Sequence, residues 1–223
     1  MITQVKKWVT DHPVWFAILF FIFYFTGFFT LEHLVTEPVY LLHCGLDDLI
    51  PFNEWFIFPY ASWFVLIPWA LITLLLFDRK NYFYLCGVMF SGMALCLLLY
   101  LIFPNGVDLR PQSIESSNLA ATFVRMIWSA DTSTNVCPSI HVASTFAIFL
   151  AVQRSRIWKH RKLVVGICGV LTVMICLSTL FLKQHSVIDV VCGIALSTAL
   201  HFVFRRTGER EQAVLCRLGE NEG

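Results

Sequence analysis

Charge is what this sequence has least of. Asp, Glu, Lys and Arg make up 14% of its 223 residues and balance to a formal net charge of +1. So neutral a chain carries no electrostatic footprint for nucleic acid, and its one dense basic run, Arg154-Ser-Arg-Ile-Trp-Lys-His-Arg-Lys162, is short. Internal repeats and low-complexity tracts are absent, which excludes repeat arrays and biased linkers. No long alternation of polar and apolar residues appears, which excludes a membrane β-barrel. A cysteine framework is lacking as well. Of eight cysteines, Cys86, Cys96, Cys168, Cys176 and Cys192 lie inside apolar runs, where the thiol serves as a small hydrophobe. Only Cys44 and Cys137 fall in segments placed on the outer side of the membrane, so at most one disulfide between them is open.

What is present is hydrophobic surface. Apolar residues reach 57%, Phe alone occurs 21 times, and the mean hydropathy is +0.70. Stretches of about 18 or more nearly uncharged residues are long enough to cross hydrocarbon as helices. The expected fold is therefore all-α: one polytopic membrane domain over residues 1–223, with six transmembrane helices and short interfacial helices. The spans are expected at 13–31, 59–77, 82–103, 138–152, 163–182 and 186–204, with a charged tail over 205–223. The first run is too long, and its Thr30-Leu-Glu-His33 end too polar, for a cleaved signal peptide. Residues 32–58 mix acids with aromatics, as interfacial helices do. In the long loop over 104–137, Ser117 is placed to cap a short helix, and Pro138 to open span four.

Basic residues set the orientation. Thirteen of the sixteen Lys and Arg fall in the N-terminal lead, the 78–81 and 154–162 turns and the tail, against Arg110, Arg125 and Lys183 on the other side. The positive-inside rule then puts both termini in the cytoplasm and the 32–58, 104–137 and 183–185 segments outside.

Three of these outward segments carry ionisable residues that plain membrane packing does not need. His185 and Asp189 are four apart on one helical face, so the carboxylate can accept from the imidazole Nδ1–H and leave Nε2 as a nucleophile or base. His141 lies in the first turn of span four beside Ser139, where a helix N-terminus offers N–H groups to an anion. Arg110 is a bidentate donor suited to phosphate oxygens. Taken singly, each has a bland alternative: a helix-end pair, a capping Ser with an interfacial His, or a headgroup contact. Their convergence, with Lys183 added, gives the inventory of a phosphoryl-transfer site. His33, Glu37 and His43 have no dedicated metal spacing, and Arg125 and Asp131 read as a structural pair across the loop, with help in headgroup binding as the alternative.

Arg110-Pro111, Pro138-Ser-Ile-His141 and His185-x-x-x-Asp189 resemble, in order and spacing, the three signature motifs of the type 2 phosphatidic acid phosphatase superfamily. The stretches NVCPSIHVAST and FLKQHSVIDVVCG, with Leu46-Asp-Asp-Leu-Ile-Pro-Phe52, look most similar to the branch related to inositol-phosphorylceramide synthases. The resemblance implies that His185 attacks phosphorus to form a phosphohistidine, oriented by Asp189. It implies that His141 protonates the departing oxygen and then deprotonates water or an acceptor hydroxyl. Arg110, Ser139 and backbone N–H groups would hold the phosphoryl oxygens, without metal or other cofactor. Two positions depart from the pattern: Phe103 stands where the first motif opens with Lys, and Ser178-Thr179 where the third has Ser-Arg. Lys183 is the candidate to supply the missing charge.

The expected function is hydrolysis of a lipid phosphate (phosphatidic acid, phosphatidylglycerol phosphate or an isoprenyl pyrophosphate) at the outer face of a bacterial plasma membrane. The alternative is a lipid headgroup phosphotransferase using the same intermediate, like inositol-phosphorylceramide or sphingomyelin synthase. The expected partners are the membrane and a lipid substrate within it. A transporter fits poorly, because ionisable residues cluster at span ends and only His201 lies late within a span.

Overall fold

The computed structural model of the chain describes residues 2–220. Nine α-helices follow one another among these residues: α1 (Ile2–Asp11), α2 (Pro13–Leu34), α3 (Gly45–Leu49), α4 (Ile57–Phe77), α5 (Arg79–Ile102), α6 (Leu119–Ala130), α7 (Ile140–Arg154), α8 (Arg161–Phe181) and α9 (Val187–Glu220). Two-residue strands β1 (Tyr40–Leu41) and β2 (Asn105–Gly106) pair in parallel. Five helical stretches are long and apolar enough to cross a membrane: Pro13–Leu34, Glu54–Phe77, Arg79–Ile102, Arg161–Phe181 and Val187–Arg206. Large apolar side chains such as Phe23 on α2, Val65 on α4 and Val173 on α8 stay exposed around the bundle. Water would not tolerate such a belt, and hydrocarbon does. The chain is an all-α polytopic integral membrane protein.

The fourth expected span is the exception in length. α7 has 15 residues, or about 22 Å at 1.5 Å per residue, short of a hydrocarbon core of about 30 Å. It does not need to match the bilayer because protein surrounds it. α7 packs on α4, α5, α8 and α9. Ala143, Ala147 and Ala151, four apart, are buried along it, and small residues let neighbouring backbones approach closely.

α7 and α9 approach closely. At Gly193 an added Cβ would lie 2.9 Å from the Ser139 carbonyl oxygen and 3.1 Å from Val142 Cβ. This contact sits beside the start of α7 and the first turns of α9, where His141 and Asp189 stand.

Several local expectations change. The polar lead folds as α1, because Val5, Trp8 and Val9 recur at helical spacing, and Arg79 holds its end through the Thr10 carbonyl at 2.6 Å. The cap of α6 is Asn118, whose Oδ1 accepts from Ala121 N at 2.8 Å; Ser117 lies one residue too early. α7 starts at Ile140 rather than Pro138, since Ser139 is extended and its hydroxyl accepts from Val142 N at 3.4 Å. The 32–58 segment is mixed: the end of α2, β1, α3 and a single 3₁₀ turn at Glu54–Phe56. The charged tail from Arg205 continues α9 to Glu220, and 221–223 lie outside the described residues. Cys44 and Cys137 are both free.

A side chain at Gly193 should force α7 and α9 apart. Gly193→Val is expected to destabilise the protein by about 1–3 kcal/mol, the usual range for overpacking. Thermal unfolding in detergent checks this, and an unchanged midpoint would show that the contact is not tight.

Candidate active site

The site is assembled where α7 begins and where α8 hands over to α9. The cation-bearing turns at Asp78–Arg79 and Arg154–Arg161 lie at the other end of the bundle, because α5, α7 and α9 all run between the two levels. After α8 the chain reverses through Lys183, held in the left-handed region at φ 55°. Gln184 N and His185 N both donate to the Thr179 carbonyl, at 3.0 and 3.2 Å. This reversal aims the His185 ring at α7.

His185 Nε2 stands 3.4 Å from His141 Nδ1. Behind it, His185 Nδ1 is 3.3 Å from Asp189 Oδ2, and the same oxygen accepts from Ser186 N at 2.9 Å. Asp189 is fully buried and its Oδ1 accepts no hydrogen bond from described residues. A carboxylate there is satisfied best when His185 carries its proton on Nδ1, which leaves the Nε2 lone pair directed at His141. The Asp189 backbone contributes too: its carbonyl accepts from Ser139 N at 3.2 Å. One residue therefore orients one imidazole and fixes the helix start that bears the other.

Both imidazoles line a cavity of about 210 Å³. Its walls are largely aromatic, including Tyr24, Phe25 and Phe28 of α2 and Tyr60 and Trp63 of α4. The His141 ring packs against Tyr60 and Trp63 at centroid distances of 4.8 and 4.6 Å. Trp63 is itself fixed by its indole N–H donating to Ser144 Oγ at 2.8 Å. A charged headgroup with apolar chains matches such a lining better than a soluble phosphate does.

The three expected phosphate ligands stand behind this lining. Arg110 donates to the backbone oxygens of Trp128, Asp131 and Thr132 at 3.3, 2.9 and 3.0 Å, and to Gln184 Oε1. Its guanidinium lies 5.3 Å from the Trp128 ring centre, and its buried Nε–H has no acceptor among described residues. Gln184, which lines the cavity, links Arg110 to the site. Ser139 is fully buried and caps α7. Lys183 is buried with Nζ donating to the Asp47 carbonyl at 2.8 Å. The structure thus brings His141, His185 and Asp189 together and holds Arg110, Ser139 and Lys183 in the surrounding frame.

Much of that frame comes from residues not singled out for chemistry. Asp47 Oδ2 accepts from Ser186 Oγ at 2.7 Å and Cys44 N at 2.8 Å, and Oδ1 from Val187 N at 2.9 Å. Burial pushes its pKa up, but the hydrogen bonds from Ser186, Val187 and Cys44 outweigh it, and the carboxyl stays below its usual range. Asn105, fully buried, donates to the carbonyls of Phe103 and Cys137 and accepts from Val136 N and Cys137 N. It therefore ties the loop before α7 to the end of α5. Tyr100 adds a bond of 2.6 Å to the Pro138 carbonyl. The Leu46-Asp-Asp-Leu-Ile-Pro-Phe52 stretch was the available signal for Asp47; nothing local marks Asn105.

Other expectations fall differently. Arg125 does not pair with Asp131: it donates to the Ser116 carbonyl at 3.0 Å, while Asp131 Oδ2 accepts from Gln184 Nε2 at 3.0 Å. Among the described residues no three His, Cys, Asp or Glu are grouped as a metal site, and His43 pairs with Asp48 at 2.9 Å. His201 bonds to Tyr84, on whose ring Arg154 stacks at 4.3 Å.

No curated protein matches the chain significantly. The family model described as the PAP2 superfamily matches residues 81–212, a stretch that holds Arg110, Ser139, His141, His185 and Asp189. That match covers more than half of the chain, and the protein belongs to the PAP2 superfamily.

Proposed function

We propose that this protein is a metal-independent membrane phosphatase that hydrolyses a lipid phosphate through a phosphohistidine on His185, on the outer face of the membrane with both termini in the cytoplasm. Phosphatidic acid, phosphatidylglycerol phosphate and isoprenyl pyrophosphates are the candidate substrates. The observation that carries the reading is the alignment of Asp189, His185 and His141, with Nε2 facing a second imidazole at 3.4 Å inside an aromatic-walled cavity. Membership of the PAP2 superfamily supports a phosphatase or phosphotransferase acting on a membrane lipid.

In this reading the phosphoryl group enters between the two rings. His185 Nε2 attacks phosphorus while the ester P–O bond breaks, and His141 gives its proton to the leaving oxygen. Asp189 stabilises the charge that develops on the His185 ring. Water then attacks the phosphohistidine, His141 takes its proton, and the P–N bond breaks to regenerate His185. The N-terminus of α7 favours the anion. Arg110 reaches it by exchanging its Gln184 bond for a phosphate oxygen, a stronger charge-assisted partner. Ser139 and Lys183 complete the proposed anion site by holding the α7 cap and the 183–185 reversal.

A purified preparation given labelled phosphatidic acid tests the reading. His185→Ala should abolish phosphate release, and His141→Ala should lower kcat by about 10²–10⁴-fold, the usual range for a general acid–base group. Full activity in both variants would remove the mechanism. The pH–rate profile should be bell-shaped, because one imidazole must be neutral while the other is protonated; a flat profile with chemistry rate-limiting contradicts it. EDTA should leave the rate unchanged, whereas loss restored by a divalent ion would point to metal chemistry.

A further inference from the structure

The cavity has a second polar wall besides the histidines. Asp131, Thr132, Thr134 and Asn135, on the loop between α6 and α7, line it, and Glu32 at the end of α2 stands behind them. Glu32 Oε2 accepts from Thr132 N and Oγ1 at 3.0 and 2.6 Å, and Oε1 accepts from Asn135 Nδ2 at 3.2 Å. That last bond sets the Asn135 amide: its N–H₂ turns to the carboxylate. Its Oδ1 is then left buried and accepts no hydrogen bond from described residues, on a side chain in a residue only 5% exposed. The threonine hydroxyls tie the wall together: Thr132 Oγ1 donates to Glu32 and lies 2.7 Å from Thr134 Oγ1, which accepts from Asn135 Nδ2 at 3.2 Å. Asp131 adds a carboxyl that burial and the Glu32 charge push up to about 6.

A phosphate dianion has no donor to offer such a wall, and the carboxylates repel it. A group with several O–H donors satisfies it, because each hydroxyl can donate to the orphan amide oxygen or a carboxylate. A quaternary ammonium has no donor for Asn135 Oδ1. We propose that Asp131, Thr132, Thr134 and Asn135 form a subsite for a polyhydroxyl alcohol of the glycerol or cyclitol type, held beside the phosphorus at His185. The inference rests on the phosphohistidine reading and deepens it. When the alcohol is the acceptor, its oxygen attacks phosphorus, the new P–O bond forms as the P–Nε2 bond breaks, and the electron pair returns to His185. The alcohol proton passes to His141. The same subsite holds the alcohol of a phosphodiester donor, which departs with the proton from His141.

The test uses the full-length protein in nanodiscs, with phosphate-labelled phosphatidic acid as donor. One arm adds soluble glycerol and the other monoacylglycerol, and the ratio of labelled alcohol product to free phosphate is read. Product in the first arm assigns a free polyol and in the second a lipid-borne one; either supports the subsite. In that arm Asn135→Leu should lower the ratio about tenfold, the effect of one lost buried hydrogen bond. Asp131→Asn should lower it in the same direction, and serves if the first variant fails to fold. No alcohol product in either arm, an unchanged ratio in either folded variant, or transfer to ethanolamine with none to glycerol would overturn the subsite. His185-dependent phosphate release would then leave the phosphatase standing, whereas release that survives His185→Ala would remove the underlying reading instead.

Discussion

Asp189 is the residue on which the rest of the arrangement depends, because its side chain and its backbone secure different halves of the site. The carboxylate faces His185 Nδ1 and Ser186 N, while the carbonyl accepts from Ser139 N two residues before His141. Losing the carboxylate would free the imidazole tautomer; shifting the carbonyl would release the start of α7. Close packing at Gly193 makes this possible, since α9 must come near enough for its backbone to reach Ser139. Helix packing and the chemistry proposed for the histidines are in this sense one constraint.

Keeping several acids in a largely apolar chain requires donors for each. An ion moved from water into a protein interior loses several kcal/mol of solvation. Asp47 recovers this through Ser186, Val187 and Cys44, and Glu32 through Thr132 and Asn135. Both connections join segments more than 90 residues apart, and both bring α2 or the 45–49 helix onto the site. The segment matched by the family begins at residue 81. The chain before it thus contributes walls and anchors to a site whose histidines lie within the match.

Sequence patterns alone determined the long apolar helices, because long uncharged runs have only one way to satisfy their backbone in hydrocarbon. They also placed the two histidines and Asp189 at helix starts, since spacing of four on a helix is a local property. Local competition moved the fine boundaries: Ser139 displaced Pro138 as the start of α7, and Asn118 displaced Ser117 as a cap. Those choices turn on which side chain reaches an N–H two or three residues on, which composition does not reveal.

Only the tertiary structure decided which polar groups meet. The approach of His185 to His141 at 3.4 Å depends on a left-handed turn at Lys183 and on the packing of α7 against α9. Arg110, read from sequence as a phosphate ligand, braces the loop before α7 and bonds to Gln184, which lines the cavity. Asn105 and the orphan oxygen of Asn135 acquire meaning only once distant segments close around them. Hydrophobic periodicity acts within one helix and is written along the chain. Hydrogen-bond satisfaction in a buried site is a property of the whole set of neighbours, and those neighbours exist only in the folded protein.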